Sequence, residues 1–577
     1  MNRKNWFLVG LLGCMLILSL VFSCDLGEED QNKEEPPGPA PVLSIAERPV
    51  ISDLASNNYV VNDAAEALSV KVTPVESGEL TYQWYSNTVL IATPETEQYT
   101  EITGEVEPSF MPPTTAVGDT YYYVVVTNTD ETKTDIPVSA RTSNIARIRV
   151  VATAEAIAPN ATITVDTATR YQYIRGFGGM SNVWTSPALV ADDIDKLYSE
   201  DGLGLNIFRI CIYPYHADLF DGTERGPGDD PNAHRRYYEM VRQAKSLGAL
   251  ILASPWTPPS EWKDNGSRLG GGHLLRNRWA NYAQHLTTYI RTMAENGAAI
   301  DYISIQNEPD IGVSYDGCDW SPEDMRDFVK DYARVIAPEG DPVKIMPGES
   351  FQYRDVMYRP TYNDAEALSK VDLIGGHIYG GGLNRKDWAI DADKEVWMTE
   401  HLFNTEGNYP IDSQWQSVWV VAQEIHDCMV ADFNAYIWWY LKRFYSMIGD
   451  GESGTLNGQL LYRGYALSHY AKYATGKTRV AASLAPANTN VLITAYESDS
   501  EITVVLFNRS NADIGQLNID LPVAATGASM VITQGTSNTD TTNGKKMDPD
   551  IVVLSADKMT GTLDLPASSI ISVRFSK

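Results

Sequence analysis

The chain has 577 residues, with 75 Asp and Glu against 45 Lys and Arg and a formal charge of −30. That balance argues against nucleic acid, which needs a basic footprint, and against charge-driven docking on anionic lipid. Apolar residues (43%) suffice for several buried cores, and at roughly 100–200 residues per domain the length suggests three or four domains.

Residues 1–23 begin with Arg3 and Lys4, run apolar from Trp6 to Phe22 and end on Ser23. The run is short for a spanning helix and has the flanks of an export signal. Val21–Cys24 resembles a bacterial lipobox, which makes Cys24 the lipidation site; an uncleaved anchor is the other reading. Residues 24–42 are acidic and Pro-rich and cannot form a core, so they read as a solvated tether. An acidic patch just after the lipid Cys resembles the surface-export signals of Bacteroidetes-type lipoproteins. The expected location is therefore the outer membrane, at the cell surface of a Gram-negative bacterium. Cys211, Cys318 and Cys428 show no metal or redox spacing and read as buried small hydrophobes.

Residues 43–152 are strand-rich. Leu68–Val72 and Leu80–Tyr85 alternate with period two, and Tyr121–Asn128 does so in part. The segment resembles an immunoglobulin-like sandwich, with Trp84 as the buried strand-C Trp and Val124 where that family often has its second Cys. A glycan-binding module and a spacer are both compatible, and the spacer is preferred.

From 173 to 474 apolar runs alternate with amphipathic stretches. The strand candidates are 175–180, 205–213, 249–255, 302–308, 344–348, 373–379, 396–401 and 435–440. Helical periodicity appears over 233–247, 277–296, 322–336 and 414–430. This pattern predicts a (β/α)8 TIM barrel, with chemistry at the C-terminal strand ends. Residues 475–577 return to strands and, with 153–172, predict a β-sandwich side domain fed by both flanks of the barrel. No metal-ligand cluster is visible and no cofactor is expected.

The fourth run ends Gln306-Asn307-Glu308-Pro309 and the seventh ends Thr399-Glu400-His401. Strands four and seven lie across a barrel, so the two Glu can face each other over a pocket. Two carboxyls about 5–5.5 Å apart are what retaining glycoside hydrolysis needs. Asn307 offers a donor to a sugar hydroxyl. Ordinary rim salt bridges would explain one such Glu but not the pair.

These motifs resemble clan A glycoside hydrolases, and about 160–577 resembles glycoside hydrolase family 30. The likeness is carried by Arg175–Gly179, Ser254–Lys263, Ser304–Asp310 with Ser314–Trp320, Trp397–His401 and Tyr436–Tyr445. It implies Glu308 as acid/base and Glu400 as nucleophile. Arg209 and Tyr379 would bond the nucleophile, with His377 in the same polar shell. Trp184, Trp256 and Trp438 would line the pocket, while Trp439, on the opposite strand face, would pack in the core. Within the family, Arg443 and Tyr445 match the glucuronoxylanase subgroup, where such a pair grips a uronic acid branch. A structural rim Arg is the alternative for Arg443. Leu402 and Thr405 stand where that subgroup has Tyr and Ser; Thr405 can replace Ser, but Leu402 donates no hydrogen bond. The expected function is a retaining endo-β-1,4-xylanase, monomeric and lipid-tethered, whose partner is a polysaccharide. The alternatives are an endo-β-1,6-glucanase or other family member, and a noncatalytic surface glycan-binding protein. The acidic chain would need local positive charge for an acidic branch, and Lys442–Arg443 is the candidate.

Overall fold

Eight parallel strands form the central sheet: Gly176–Met180, Ile207–Ile212, Leu250–Pro255, Tyr302–Ser304, Lys344–Met346, Leu373–His377, Glu395–Glu400 and Ala435–Trp438. They are called strands one to eight below. The computed structural model describes residues 44–91, 98–151, 159–181, 188–214, 235–404 and 411–577. Strand one pairs with both strand two and strand eight. Strands five and six close the ring through the Ser350–Gly376 bridge and the bond from His377 N–H to Ser350 O, 2.8 Å. The result is a closed (β/α)8 barrel.

The barrel follows from what its strands present to each face. Ile207, Leu252, Met346, Leu373, Trp397, Ala435 and Ile437 pack with Tyr302 in the interior. The alternate residues Phe208, Ile210, Met398, Tyr436 and Trp438 belong to the cluster under the helices. Helices Arg235–Ser246, Trp279–Glu295, Pro322–Ile336 and Trp415–Val430 lie between strands. The third of these shows its start in sequence: Ser321 Oγ accepts from Asp324 N–H at 3.0 Å, Pro322 opens the first turn, and Glu323 and Asp324 face the helix's positive end. Between strands six and seven the helix shrinks to one turn, Asp387–Ile390.

Strand Ala161–Tyr173, before the barrel, pairs antiparallel with Thr478–Ala485, after it, and parallel with Gly515–Asp520. Together they enter a ten-stranded ladder. It wraps an apolar core that includes Ile163, Val504, Ile519, Ile571 and Phe575. A further six-stranded sheet spans residues 57–151, centred on Gly118–Thr129. Its core holds Trp84, Phe110, Val124 and Ile148. It sits on its neighbours through polar ties: Ser529 Oγ donates to Asp53 Oδ2 at 2.6 Å, and Arg48 pairs with Asp201 at 2.9 Å. Cys211, Cys318 and Cys428 are buried free thiols. Among the described residues no helix is long and apolar enough to cross a membrane.

Candidate active site

Two local irregularities aim the carboxylates. The expected strand 302–308 pairs regularly only to Ser304. Beyond it, Asn307 N–H donates to Pro255 O at 2.8 Å and Glu308 N–H to Glu349 O at 2.9 Å. Glu308 has φ +47°, a left-handed conformation that costs a non-glycine residue about 1–3 kcal/mol and clusters at working sites. On strand seven Trp397 points into the barrel, so strict alternation would put Glu400 outside. The register shifts instead: Met398 pairs with Gly376, but Glu400 pairs with His377. The extra residue turns Glu400 to the cleft, as bulges do near active sites.

Arg209, fully buried on strand two, organises the floor. Its Nη1 donates to Glu400 Oε2 at 2.5 Å, its Nη2 to Asn307 Oδ1 at 2.7 Å, and its Nε to Ser254 Oγ at 3.3 Å. Tyr379 O–H donates to the other Glu400 oxygen at 3.0 Å. Glu308 has different partners: Tyr315 O–H at 2.6 Å and His377 Nδ1 at 3.0 Å. A third carboxylate, Glu349, three residues past strand five, is fully buried, 3.2 Å from Arg209 and 3.7 Å from His377.

These contacts set the charges. Burial opposes a charge on His377, but Glu400, Glu308 and Glu349 pull its pKa up to about 9, so it is cationic at neutral pH. Burial works against the Glu349 charge too, yet Arg209 and His377 hold its carboxyl far below the usual range. Glu308 is likewise held down, with the His377 and Tyr315 hydrogen bonds outweighing burial. Glu400 is pushed up, by burial and then by the Glu308 charge, against the pull of His377 and Arg209. The two carboxyls therefore titrate as a pair. Donor atoms of Glu308, His377 and Glu400 approach within 4.8 Å of one another. That spacing could hold a cation, but Arg209 and the His377 proton already bond these oxygens, so the set is built to handle a proton.

The pair lies on a cleft of about 560 Å³ walled by Trp256, Trp439, Tyr440, Tyr213 and Phe351. Trp256 and Trp439 rings stand 5.8 Å apart, and Arg209 lies 5.0 Å from the Trp256 ring centre. The barrel thus brings Glu308, Glu400, Asn307, Arg209, His377, Tyr379 and Trp256 together. Trp438 is a correction: it is fully buried beside Phe403, and Trp439 takes the cleft. Ala435 and Ile437 face inward, so parity sends residue 439 inward and residue 438 out. Arg443 and Tyr445 are not among the cleft-lining residues. Arg443 faces Asp450 at 3.4 Å and Glu452 at 3.8 Å. Lys442 is also a correction as a source of positive charge, because it is buried against Asp193 at 2.5 Å. Cys24, Trp184 and Thr405 lie outside the described residues.

Sequence reasoning missed Glu349 and Tyr315. Glu349 carries the signal used for the other two, a Glu closing an apolar strand run (Ile345–Glu349). Tyr315 stands within the quoted 314–320 motif but received no role.

A (β/α)8 barrel whose fourth and seventh strands end in facing buried carboxylates is the arrangement of a glycoside hydrolase. No protein-family model matches the chain. Individual relatives do. Glucuronoxylanase XynC of Bacillus subtilis strain 168 is 32% identical over 392 residues, covering 65% of this chain and 85% of that protein. The solved structure of the glycoside hydrolase family 30 subfamily 8 xylanase Xyn30A from Clostridium acetobutylicum superposes with a TM-score of 0.62 at 26% identity, over 72% of this chain and all of that one. The endo-β-1,6-glucanase BT3312 shares the fold at a TM-score of 0.54 and 18% identity, over 79% of this chain and 99% of its own. The chain belongs to glycoside hydrolase family 30.

Proposed function

We propose that the protein is a retaining endo-β-1,4-xylanase acting on glucuronoxylan or a related xylan, with Glu400 as nucleophile and Glu308 as acid/base. The carrying observation is the carboxylate spacing. One oxygen of Glu308 and one of Glu400 lie within 4.8 Å of each other, a close approach that suits the about 5–5.5 Å carboxyl separation of retaining enzymes. Arg209 and Tyr379 hold both Glu400 oxygens, which orients a nucleophile, while burial and the Glu308 charge draw the pair's shared proton towards Glu400 before substrate binds. The pair's proton passes to Glu308, which delivers it to the departing glycosidic oxygen as Glu400 attacks as the anion. Once Glu400 is esterified its charge is gone, and the His377 and Tyr315 bonds favour ionised Glu308, the base that activates water. With its Oδ1 bonded to Arg209, Asn307 keeps its NH2 for a sugar hydroxyl. Trp256 and Trp439 supply faces for sugar rings.

Xylan as substrate draws on the names of the relatives, glucuronoxylanase XynC and the Clostridium xylanase. Arg443, facing Asp450 and Glu452, and Leu402, which donates no hydrogen bond, favour an enzyme that does not require the uronic acid branch. Products from glucuronoxylan, arabinoxylan and β-1,6-glucan test the substrate. Release from xylans with retained anomeric configuration is expected; release from β-1,6-glucan alone replaces the reading with a glucanase. Products that all carry a uronic acid at one fixed distance from the reducing end would restore Arg443 as the branch anchor.

The N-terminal sheet is read as an immunoglobulin-like spacer. Fully buried Trp84 stands opposite Val124 in the ladder, where a disulfide is replaced by apolar packing. The signal, Cys24 and the acidic tether point to a lipoprotein on the outer membrane surface. Metabolic labelling with a fatty acid, lost in Cys24→Ser, is the expected result; label retained in that variant removes the lipid assignment.

A further inference from the structure

We propose that Glu349 is a positioning residue whose buried charge, fixed between Arg209 and His377, sets the number of protons on the Glu308–Glu400 pair to one. The proposal rests on the two-carboxylate reading above and deepens it.

Glu349 has no place in the cleft wall, and its side chain is fully buried. Its backbone is locked to the segment that carries the acid/base: Glu349 N–H donates to Gln306 O at 2.8 Å, and its carbonyl accepts from Glu308 N–H at 2.9 Å. The carboxylate faces Arg209 from strand two at 3.2 Å and His377 from strand six at 3.7 Å. Ser254 from strand three adds a hydroxyl, and the phenols of Tyr353 and Tyr358, kept neutral by burial, complete its surroundings. Beyond the two cations lie Glu400, 3.8 Å from His377, and Glu308, 3.0 Å from it.

A buried carboxylate is expensive unless paired, and this one never reaches substrate. Its chemistry lies in the balance of charge. Arg209 and His377 bring two positive charges and Glu349 returns one negative charge. The remainder is neutralised by one further carboxylate, not two. With Glu308 and Glu400 both buried at the cleft floor, the pair then keeps one proton, because two ionised carboxylates would leave an excess buried charge. One proton on two carboxyls is the count that double displacement needs: carried by Glu308 it protonates the leaving group and leaves Glu400 an anion to attack. With the Glu349 charge removed, Arg209 and His377 would balance both Glu308 and Glu400, and the pair would lose its proton at lower pH. His377 would also lose one of the charges that keep it cationic.

The test is the pH dependence of kcat and KM for Glu349→Gln, on whichever of xylan or β-1,6-glucan the natural enzyme cleaves. Failure of the xylan reading therefore leaves this test standing. The alkaline limb of kcat/KM should move down by about one pH unit or more, with KM at the acidic end nearly unchanged. Glu349→Asp, which keeps the charge, should bring the limb back towards its original place. A purely structural role would lower the rate at every pH and leave the limb where it was, and that result overturns the proposal. If the Gln variant does not fold, His377→Gln tests the same balance from the other side. Losing a positive charge beside the pair must move the limb upward, and an unmoved limb is equally fatal.

Discussion

Glu308 and Glu400 carry the same functional group, yet their partners separate them. Glu400 has both oxygens bonded, to Arg209 and to Tyr379, both built into the barrel. Glu308 bonds His377 and also Tyr315, an exposed residue of the loop after strand four. A nucleophile needs fixed orientation; an acid/base must exchange its proton with leaving group and water, which suits the more accessible partner. Glu400→Ala should therefore abolish turnover while leaving polysaccharide binding, measured by affinity electrophoresis; persisting turnover removes Glu400 as nucleophile. Glu308→Gln should slow xylan cleavage by about 10²–10⁴-fold, the usual worth of general acid–base catalysis. The loss should be far smaller for bond breaking in an aryl glycoside whose leaving group needs no proton, measured as the burst of released phenol. An equal loss on both substrates would mean Glu308 serves only as structure.

The eight strands were legible because each is a short apolar run closed by polar or turn residues, and the 322–336 helix because Ser321-Pro322-Glu323-Asp324 is a start signal in plain text. What escaped was which face a side chain takes once a strand ends or shifts register. Glu308 turns at positive φ, Glu400 is redirected by a register shift, and Trp438 and Trp439 exchange the expected sides. Each depends on neighbouring strands, which a local pattern does not contain. Lys442 escaped for a similar reason: its partner Asp193 lies 249 residues away. The exchange has a measurable consequence. Trp439→Ala should raise KM for xylan, with thermal stability little changed. Trp438→Ala empties a fully buried site and should cost about 3–5 kcal/mol of stability, read from denaturant unfolding. The reverse pattern would return Trp438 to the cleft.

Across the whole molecule, four buried histidines set opposing pH limits on stability. Burial lowers the pKa of His285 and His426 to about 4 and that of His469 to about 3, with Lys472 adding to the last. His469 joins the helix Tyr462–Ala474 to the β-rich domain, its two ring nitrogens 2.8 Å from Ser572 Oγ and Thr533 Oγ1. As pH falls below the ordinary histidine value of 6.5, the unfolded chain takes protons that these three sites refuse, so stability falls towards pH 4. His377 works the other way. Its pKa is raised to about 9, so its contribution is complete below pH 6.5 and lost as pH rises through 9. At about 1.4 kcal/mol per unit, that contribution is on the order of 3 kcal/mol. The thermal midpoint should therefore peak near pH 6.5 and decline on both sides. His377→Gln should flatten the alkaline decline and leave the acid one, because its partners Glu308, Glu349 and Glu400 take no part in the other three sites. Buried Lys472, lowered to about 8, adds stability as pH rises above 8, so the clean window for His377 is pH 6.5 to 8. A midpoint that stays level from pH 6.5 to 8 in the natural protein would show that His377 is not held as a cation, and the charge balance around the catalytic pair would have to be redrawn.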